Sequence, residues 1–307
     1  MILLETHNTI IQSVLAEKFT KPSSLDEHFV DYDGVRFRLS TPERKTLLRL
    51  SMNIRCWDEL AQYGARDILA REYGTYLLPE AEPEYSVTLE FDTEKVPPEG
   101  EAREALIKSA SLLKRIALGA PFETAFKHAL ALERGESPAN ATELMQIHYR
   151  DEEAIYVQAQ ADRVTVVFST VFREEADRIF GKVFLQEFVD ARRQPSIQTA
   201  PQVLFSAKEP PLEIRSAPGL KNSEDVGYVT FVIFPRHYNK PDVQFSTISH
   251  IQLFRSYLHY HIKCSKAYMR SRMRHRVAEF QKILNRAKTE VATTERKTVS
   301  GRTLTTR

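Results

Sequence analysis

The sequence predicts an α+β fold: two similar α/β sandwich domains with antiparallel sheets, followed by a long protruding C-terminal helix. Three observations predict it. Short β-branched or aromatic runs occur in pairs joined by short connections, which favours antiparallel strands. The order strand, strand, helix, strand, strand, helix appears in both halves, which points to duplicated architecture without sequence identity between the halves. No Pro or Gly occurs between Pro241 and Gly301, so nothing there forces the backbone out of a helix.

The first domain, residues 1–137, opens with MILLETHNTIIQSVLAEKF. Its Ile2, Leu3, Ile10, Ile11, Val14, Leu15 and Phe19 lie at helical spacing that ends at Lys21-Pro22. His28 to Ser40, with Asp33-Gly34 before VRFRL, and Leu47 to Ile54 read as extended runs. Trp57 to Tyr73 is helical, with Trp57, Leu60, Ala61, Ile68 and Leu69 inward, a kink near Gly64 and a stop at Gly74. Tyr76 to Leu78 and Tyr85 to Phe91 supply two more strands. After Pro97-Pro98, Glu101 to Leu118 is helical, and Pro121 restarts a second helix that ends near Gly135. The small, polar run GESPANA at 135–141 marks the boundary.

The second domain, residues 138–241, begins with strands at Leu144–Tyr149 and Ala154–Gln158. RVTVVFSTVF at 163–172 is the clearest strand of the chain, β-branched and aromatic throughout. A helix over 174–192 carries Phe180, Val183, Phe184 and Phe188 at helical spacing. PQVLFS and GYVTFVIFP are strands, separated by a polar loop over 210–225. The C-terminal helix then occupies 242–288, and 289–307 reads as a basic flexible tail.

That helix would be roughly 65 Å long, more than a domain of this size covers. Ile248, Ile251, Leu258, Ile262, Met269, Met273, Val277, Phe280 and Leu284 fall within roughly 60° of one line on a 100° wheel. The first half is apolar more widely, through Leu253, Phe254 and Tyr257, while the second keeps only the narrow seam. A seam that outruns its own domain needs another chain. From Lys263 to Lys288 nine Lys or Arg residues face one acid, Glu279, which predicts an anionic counterpart.

Composition sets the class. The chain has 307 residues, 42% hydrophobic and 27% charged, as in a soluble globular protein with two cores. No apolar run reaches membrane-spanning length and no secretory leader is read, so no membrane span is expected. Cys56 and Cys264 lie in different halves and form no framework, which suits a reduced intracellular protein.

Motifs for chemistry are missing. No phosphate-binding G-x-x-x-x-G-K-[ST], dinucleotide G-x-G-x-x-G or zinc H-E-x-x-H pattern occurs, and ten glycines leave little for a phosphate-cradling loop. His261 and Cys264, with His259, are candidate metal ligands, but packing accounts for them more simply. Asp151-Glu152-Glu153 and Glu174-Glu175-Asp177 suit a hairpin turn and a helix N-terminus. Arg192-Arg193 suits a helix C-terminus as well as a partner contact, and Phe205, Tyr228, Phe231 and Phe234 suit sheet core better than base stacking. No catalytic, cofactor or metal residues are assigned.

The blocks RVTVVFSTVF, GKVFLQEF, TAPQVLFS with EPPLE, GYVTFVIFPRH, YLHYHIKCSKAY, SRMR and LNRA resemble subunit 2 of the actin-related protein 2/3 complex family. The resemblance runs from MILLE and DYDGV to GRTLTTR. It implies a non-catalytic structural subunit without a cofactor, whose long helix packs antiparallel with a helix of subunit 4. That core holds the two actin-related subunits and lies against the mother filament, supporting branched actin nucleation in the cytoplasmic cytoskeleton. It further implies filament-side positions at Phe254, Arg255, Arg274, Lys282 and Arg286. Our own reading of the seam assigns Ile262, Met269, Met273, Val277, Phe280 and Leu284 to the subunit interface. The alternative is a basic-helix protein that binds nucleic acid or anionic lipid, for which Tyr268 is the one nearby aromatic.

Overall fold

The computed structural model describes residues 4–191, 194–220, 223–286, 296–297 and 303–304. Arg192, Arg193, Lys288 and most of the 289–307 tail lie outside the described residues. Backbone proximity divides the chain into two units, 1–260 and 261–307.

The first unit opens with α1 (Thr9–Thr20), which starts where Asn8 Oδ1 accepts from the Ile10 and Ile11 amides at 3.0 and 3.2 Å. Ile11, Leu15 and Phe19 form its buried face. The run from 28 to 40 resolves into a hairpin of β1 (Asp26–Val30) and β2 (Arg36–Ser40). In its turn Asp31 Oδ1 accepts from the Asp33 and Val35 amides, and Gly34 takes a φ of +78°. β3 (Leu47–Asn53) follows. The expected helix divides at Gly64, φ +91°, into α2 (Trp57–Gln62) and α3 (Ala65–Tyr73). β4 (Val87–Asp92) closes an antiparallel sheet in the order β1-β2-β3-β4. Tyr76–Leu78 adds no strand: Leu77 makes a single bridge to Leu89, and Tyr76 packs on Phe91 with centroids 5.2 Å apart.

The next two helices break elsewhere than the prolines suggested. α4 (Glu101–Ser111) ends at Leu112, and α5 (Leu113–Glu133) runs straight through Pro121. Proline removes one helical hydrogen bond. Here Leu113, Ile116, Ala120, Phe122, Ala125, Phe126 and Ala129 are all buried around it, and that packing outweighs the lost bond. α5 packs on α3 of the first half and also on β6 and β7 of the second sheet, so one helix serves both.

That second sheet comprises β5 (Met145–Ile147), β6 (Ile155–Ala159), β7 (Val164–Val171), β8 (Gln202–Ala207) and β9 (Val226–Ile233), all antiparallel. Its order is β5-β6-β7-β9-β8. α6 (Glu175–Ala191) carries the chain across from β7 to β8, and β9 then inserts between them. β9 is buried along its whole length, which its unbroken apolar and small sequence allows. Gly227 fits closely there: a Cβ would stand 3.0 Å from the rings of Phe172 and Phe205, so those rings would have to shift by a few tenths of an ångström to admit one. α7 (Pro241–Arg286) begins in this unit with Pro241 at its first position. The second unit holds the remainder of α7 and a short antiparallel ladder of β10 (Arg296–Lys297) with β11 (Thr303–Leu304).

Within residues 1–260 a chain of ion pairs joins distant elements. Lys114 of α5 holds Asp31 and Asp33 of the first hairpin. Arg150, before β6, reaches Asp33 at 3.0 Å and Glu153 at 3.6 Å. Glu153 in turn binds Arg255 of α7. Burial alone would raise the Asp33 carboxyl, but Lys114, Arg150 and Arg255 together hold it below its ordinary value of 3.8. A carboxylate lowered by folding adds stability that is complete above its unfolded value and lost as the pH falls through the folded one. Urea titrations should therefore show wild-type stability dropping below pH 4 more steeply than that of Asp33→Asn, with the two curves converging at the acid end.

Candidate partner-binding helix

α7 contains 46 residues and, at 1.5 Å per residue, extends roughly 69 Å. After Pro241 no Pro or Gly interrupts it, and Asp242 sits in the first turn, where a negative charge is favourable.

Its opening turns, within the first unit, are fixed by buried polar contacts. Arg115 of α5 is buried and donates from Nη2 to the Phe245 carbonyl at 2.7 Å and from Nε to Ser249 Oγ at 3.0 Å. Its guanidinium lies 3.8 Å from the centroid of the Phe245 ring. Gln252 Nε2 answers by donating to the Arg115 carbonyl at 3.1 Å. Burial lowers the Arg115 pKa to about 10, which still leaves it charged at neutral pH. Thr247 Oγ1 donates to the His237 carbonyl at 2.7 Å, and the Leu4 amide donates to the Tyr257 hydroxyl at 2.8 Å.

The apolar face of these turns is covered. Ile248, Ile251 and Leu258 are buried. Phe254, 7% exposed, meets Phe231 edge-on at 4.7 Å and approaches Phe168 and Phe188 at 5.8 and 6.1 Å. Arg255 grips the buried Glu153 carboxylate with Nε at 2.5 Å and Nη2 at 3.1 Å. Burial works against the Arg255 charge, and Glu153 more than offsets it, so its pKa is raised. Phe254, expected on the filament side, is thus a core ring, and Arg255, expected there too, is half-buried and paired with the buried Glu153. No local sequence signal marks Glu153 as the partner of a residue 102 positions away.

Ile262 is 2% exposed. Beyond it the picture reverses: Met269, Met273, Val277, Phe280 and Leu284 are between 43% and 60% exposed, and Ile283, outside the predicted seam, is exposed as well. The predicted interface residues therefore separate into one covered position and five open ones. Among the flanking bases, Lys282 pairs with Glu279 at 3.0 Å, and Arg272 lies over Tyr268 at 5.6 Å. Arg274 and Arg286 are exposed.

The other candidates have structural duties. His259 stacks on Phe172 at 5.9 Å. Asp151 is ion-paired with Arg55, and Glu152 meets Arg173 at 3.4 Å. Tyr228 and Phe231 are sheet core, with Phe205 and Phe234 half-buried. Among the described residues no group of three or more His, Cys, Asp or Glu is placed so that it could hold a metal ion, and no helix is long and apolar enough to cross a membrane.

Residues 50–291 match the family model described as Arp2/3 complex, 34 kD subunit p34-Arc. The chain is similar to the Actin-related protein 2/3 complex subunit 2 of Schizosaccharomyces pombe, 53% identical over 315 aligned positions that cover 98% of each chain. It is also similar to the protein of that name from Dictyostelium discoideum, 37% identical over 303 positions and again 98% of each.

The two halves of α7 should respond oppositely to substitution. Phe254→Ala opens a cavity and should cost about 3–5 kcal/mol in urea unfolding. Met273→Asp with Phe280→Asp, at exposed sites, should change stability by no more than about 0.5 kcal/mol per site. The same pair should reduce self-association of the lone chain in light scattering, because an exposed apolar stripe promotes association.

Proposed function

The chain belongs to the Arp2/3 complex 34 kD subunit p34-Arc family, and we propose that it acts as a non-catalytic scaffold that pairs through α7 with subunit 4. In this reading the pair forms a core that holds the two actin-related subunits and rests against the mother filament in the cytoplasmic actin cytoskeleton. The observation that carries it is the exposed stripe Met269, Met273, Val277, Phe280 and Leu284, bordered by bases on both sides. A stripe of this kind suits a lasting partner whose apolar surface covers it.

The division of labour follows from exposure. We place the subunit 4 contact on the five open seam residues. Filament contact falls to Arg274, Lys282 and Arg286, whose charges are at the surface. Phe254 and Arg255 serve by fixing the root of the helix, and Ile262 by its burial next to that root in sequence. An exposed ion pair contributes below about 1 kcal/mol, so several bases must act together on an acidic filament surface, chiefly by steering and orienting it.

The experiment is co-expression with subunit 4, followed by sedimentation with actin filaments across a salt series. A soluble heterodimer should pellet with filaments, less so as salt screens the charges and less still with Lys282→Glu and Arg286→Glu. A well-behaved monomer that ignores filaments but binds RNA or anionic vesicles would overturn the scaffold reading.

A further inference from the structure

β1 is the outer strand of the first sheet, and among the described residues no strand pairs with its open side. Its ladder with β2 fixes which backbone groups are left over. The Thr41 amide donates to the Leu25 carbonyl at 2.9 Å, and the Asp31 amide donates to the Val35 carbonyl at 3.0 Å. Bonded and non-bonded pairs alternate along an antiparallel ladder, so Glu27 and Phe29 bond inward as well, to Leu39 and Phe37. The amides and carbonyls of Asp26, His28 and Val30 therefore point away from the sheet.

A cavity of about 520 Å³ lies beside this edge. Phe29 and Val30 of β1 line it, with Phe37 of β2, Ile10 of α1, Leu118 of α5 and Leu253 of α7. The Phe29 and Phe37 rings stack with centroids 5.2 Å apart. Val30 and Tyr32, also in its lining, are 62% and 98% exposed. The turn that carries Tyr32 is held by Lys114 and Arg150 through Asp31 and Asp33, so little ordering remains to be done on binding.

Side chains of a strand alternate between the two faces of its sheet. A strand added beside β1 would place every second side chain level with Glu27 and Phe29, on the face where the opposite residues Leu39 and Phe37 are buried. At Phe29 such a side chain meets apolar space. At Glu27, which is exposed, it meets a carboxylate, and Glu5 adds another in the cavity lining. Acids along an open edge disfavour a second copy of β1 and favour a basic strand.

We propose that β1 is a docking edge for an extended segment of a partner protein, which adds to the first sheet as a fifth strand. The segment carries a bulky apolar residue that enters the cavity beside Phe29 and a Lys or Arg two positions away that faces Glu27. Main-chain bonds to Asp26, His28 and Val30 supply affinity, and the two side chains supply the choice of partner. None of the exposed stripe of α7 is used, so the inference stands apart from the pairing proposed above.

Random peptides of about twelve residues, displayed on phage and selected on the full-length chain, test it. Enriched peptides should carry Lys or Arg two positions from Leu, Ile or Phe. A synthetic copy should slow amide hydrogen exchange at His28 and Val30 by at least about tenfold. Glu27→Lys, at an exposed site, should weaken its binding by at least about tenfold. Val30→Pro should abolish it, because proline removes an outward amide that the ladder to β2 does not use. No enrichment, or enrichment of acidic peptides, would overturn the proposal. A peptide that binds without slowing either amide would overturn it too, leaving the cavity as a site for an isolated apolar group. A dimer of the chain in light scattering that Val30→Pro disperses would assign the edge to a second copy instead.

Discussion

The guanidinium of Arg115 is buried, carries its charge at neutral pH and is satisfied by a backbone carbonyl, a serine hydroxyl and an aromatic face. A buried charge is tolerated only where polar partners replace its water, so those partners must hold their positions. All three come from α7, at Phe245 and Ser249, and α7 answers through Gln252. The root of the long helix is thereby keyed to α5, the helix that packs on α3 of the first half and on the second sheet. The pair of Arg255 and Glu153 adds a second fixed point within about three turns of Phe245. Anything the later turns of α7 do begins from this root.

Much of this was legible in the sequence. Alternation and β-branching located the strands of the second sheet to within a residue or two, because β7 and β9 are buried on both faces and read as unbroken apolar runs. Helical spacing gave α1, α6 and the narrowing of the α7 seam. Pro121 misled because propensity is local, whereas the burial that overrides it comes from residues far along the chain. The pairing of Arg255 is illegible for the same reason: Glu153 is distant in sequence, and nothing near either residue marks them as a pair. The spacing of Phe254 from Ile251 and Leu258 places it in the widely apolar first half of the helix, where its burial agrees with that reading.

One helix thus serves two environments with one kind of side chain. Ile248, Ile251, Leu258 and Ile262 are buried, and Met269 to Leu284 continue the same line in the open. Chemistry changes along it: branched aliphatics dominate where the neighbours are fixed, and two methionines appear where the stripe opens. Methionine adapts its shape to what it meets, which suits a surface completed by a second molecule.

The strand order of the second sheet has a consequence for synthesis. β9 lies between β7 and β8 although it is made last, so β8 waits without a strand partner until residues 226–233 leave the ribosome. Only residues 234–240 separate that event from the start of α7, and the exposed stripe begins at Met269, further along the same helix. Completion of the sheet and emergence of the adhesive stripe are therefore close together in time. The nascent chain presents its unpartnered helix only once the platform beneath the root exists, which shortens the period in which that stripe is displayed on an unfinished protein.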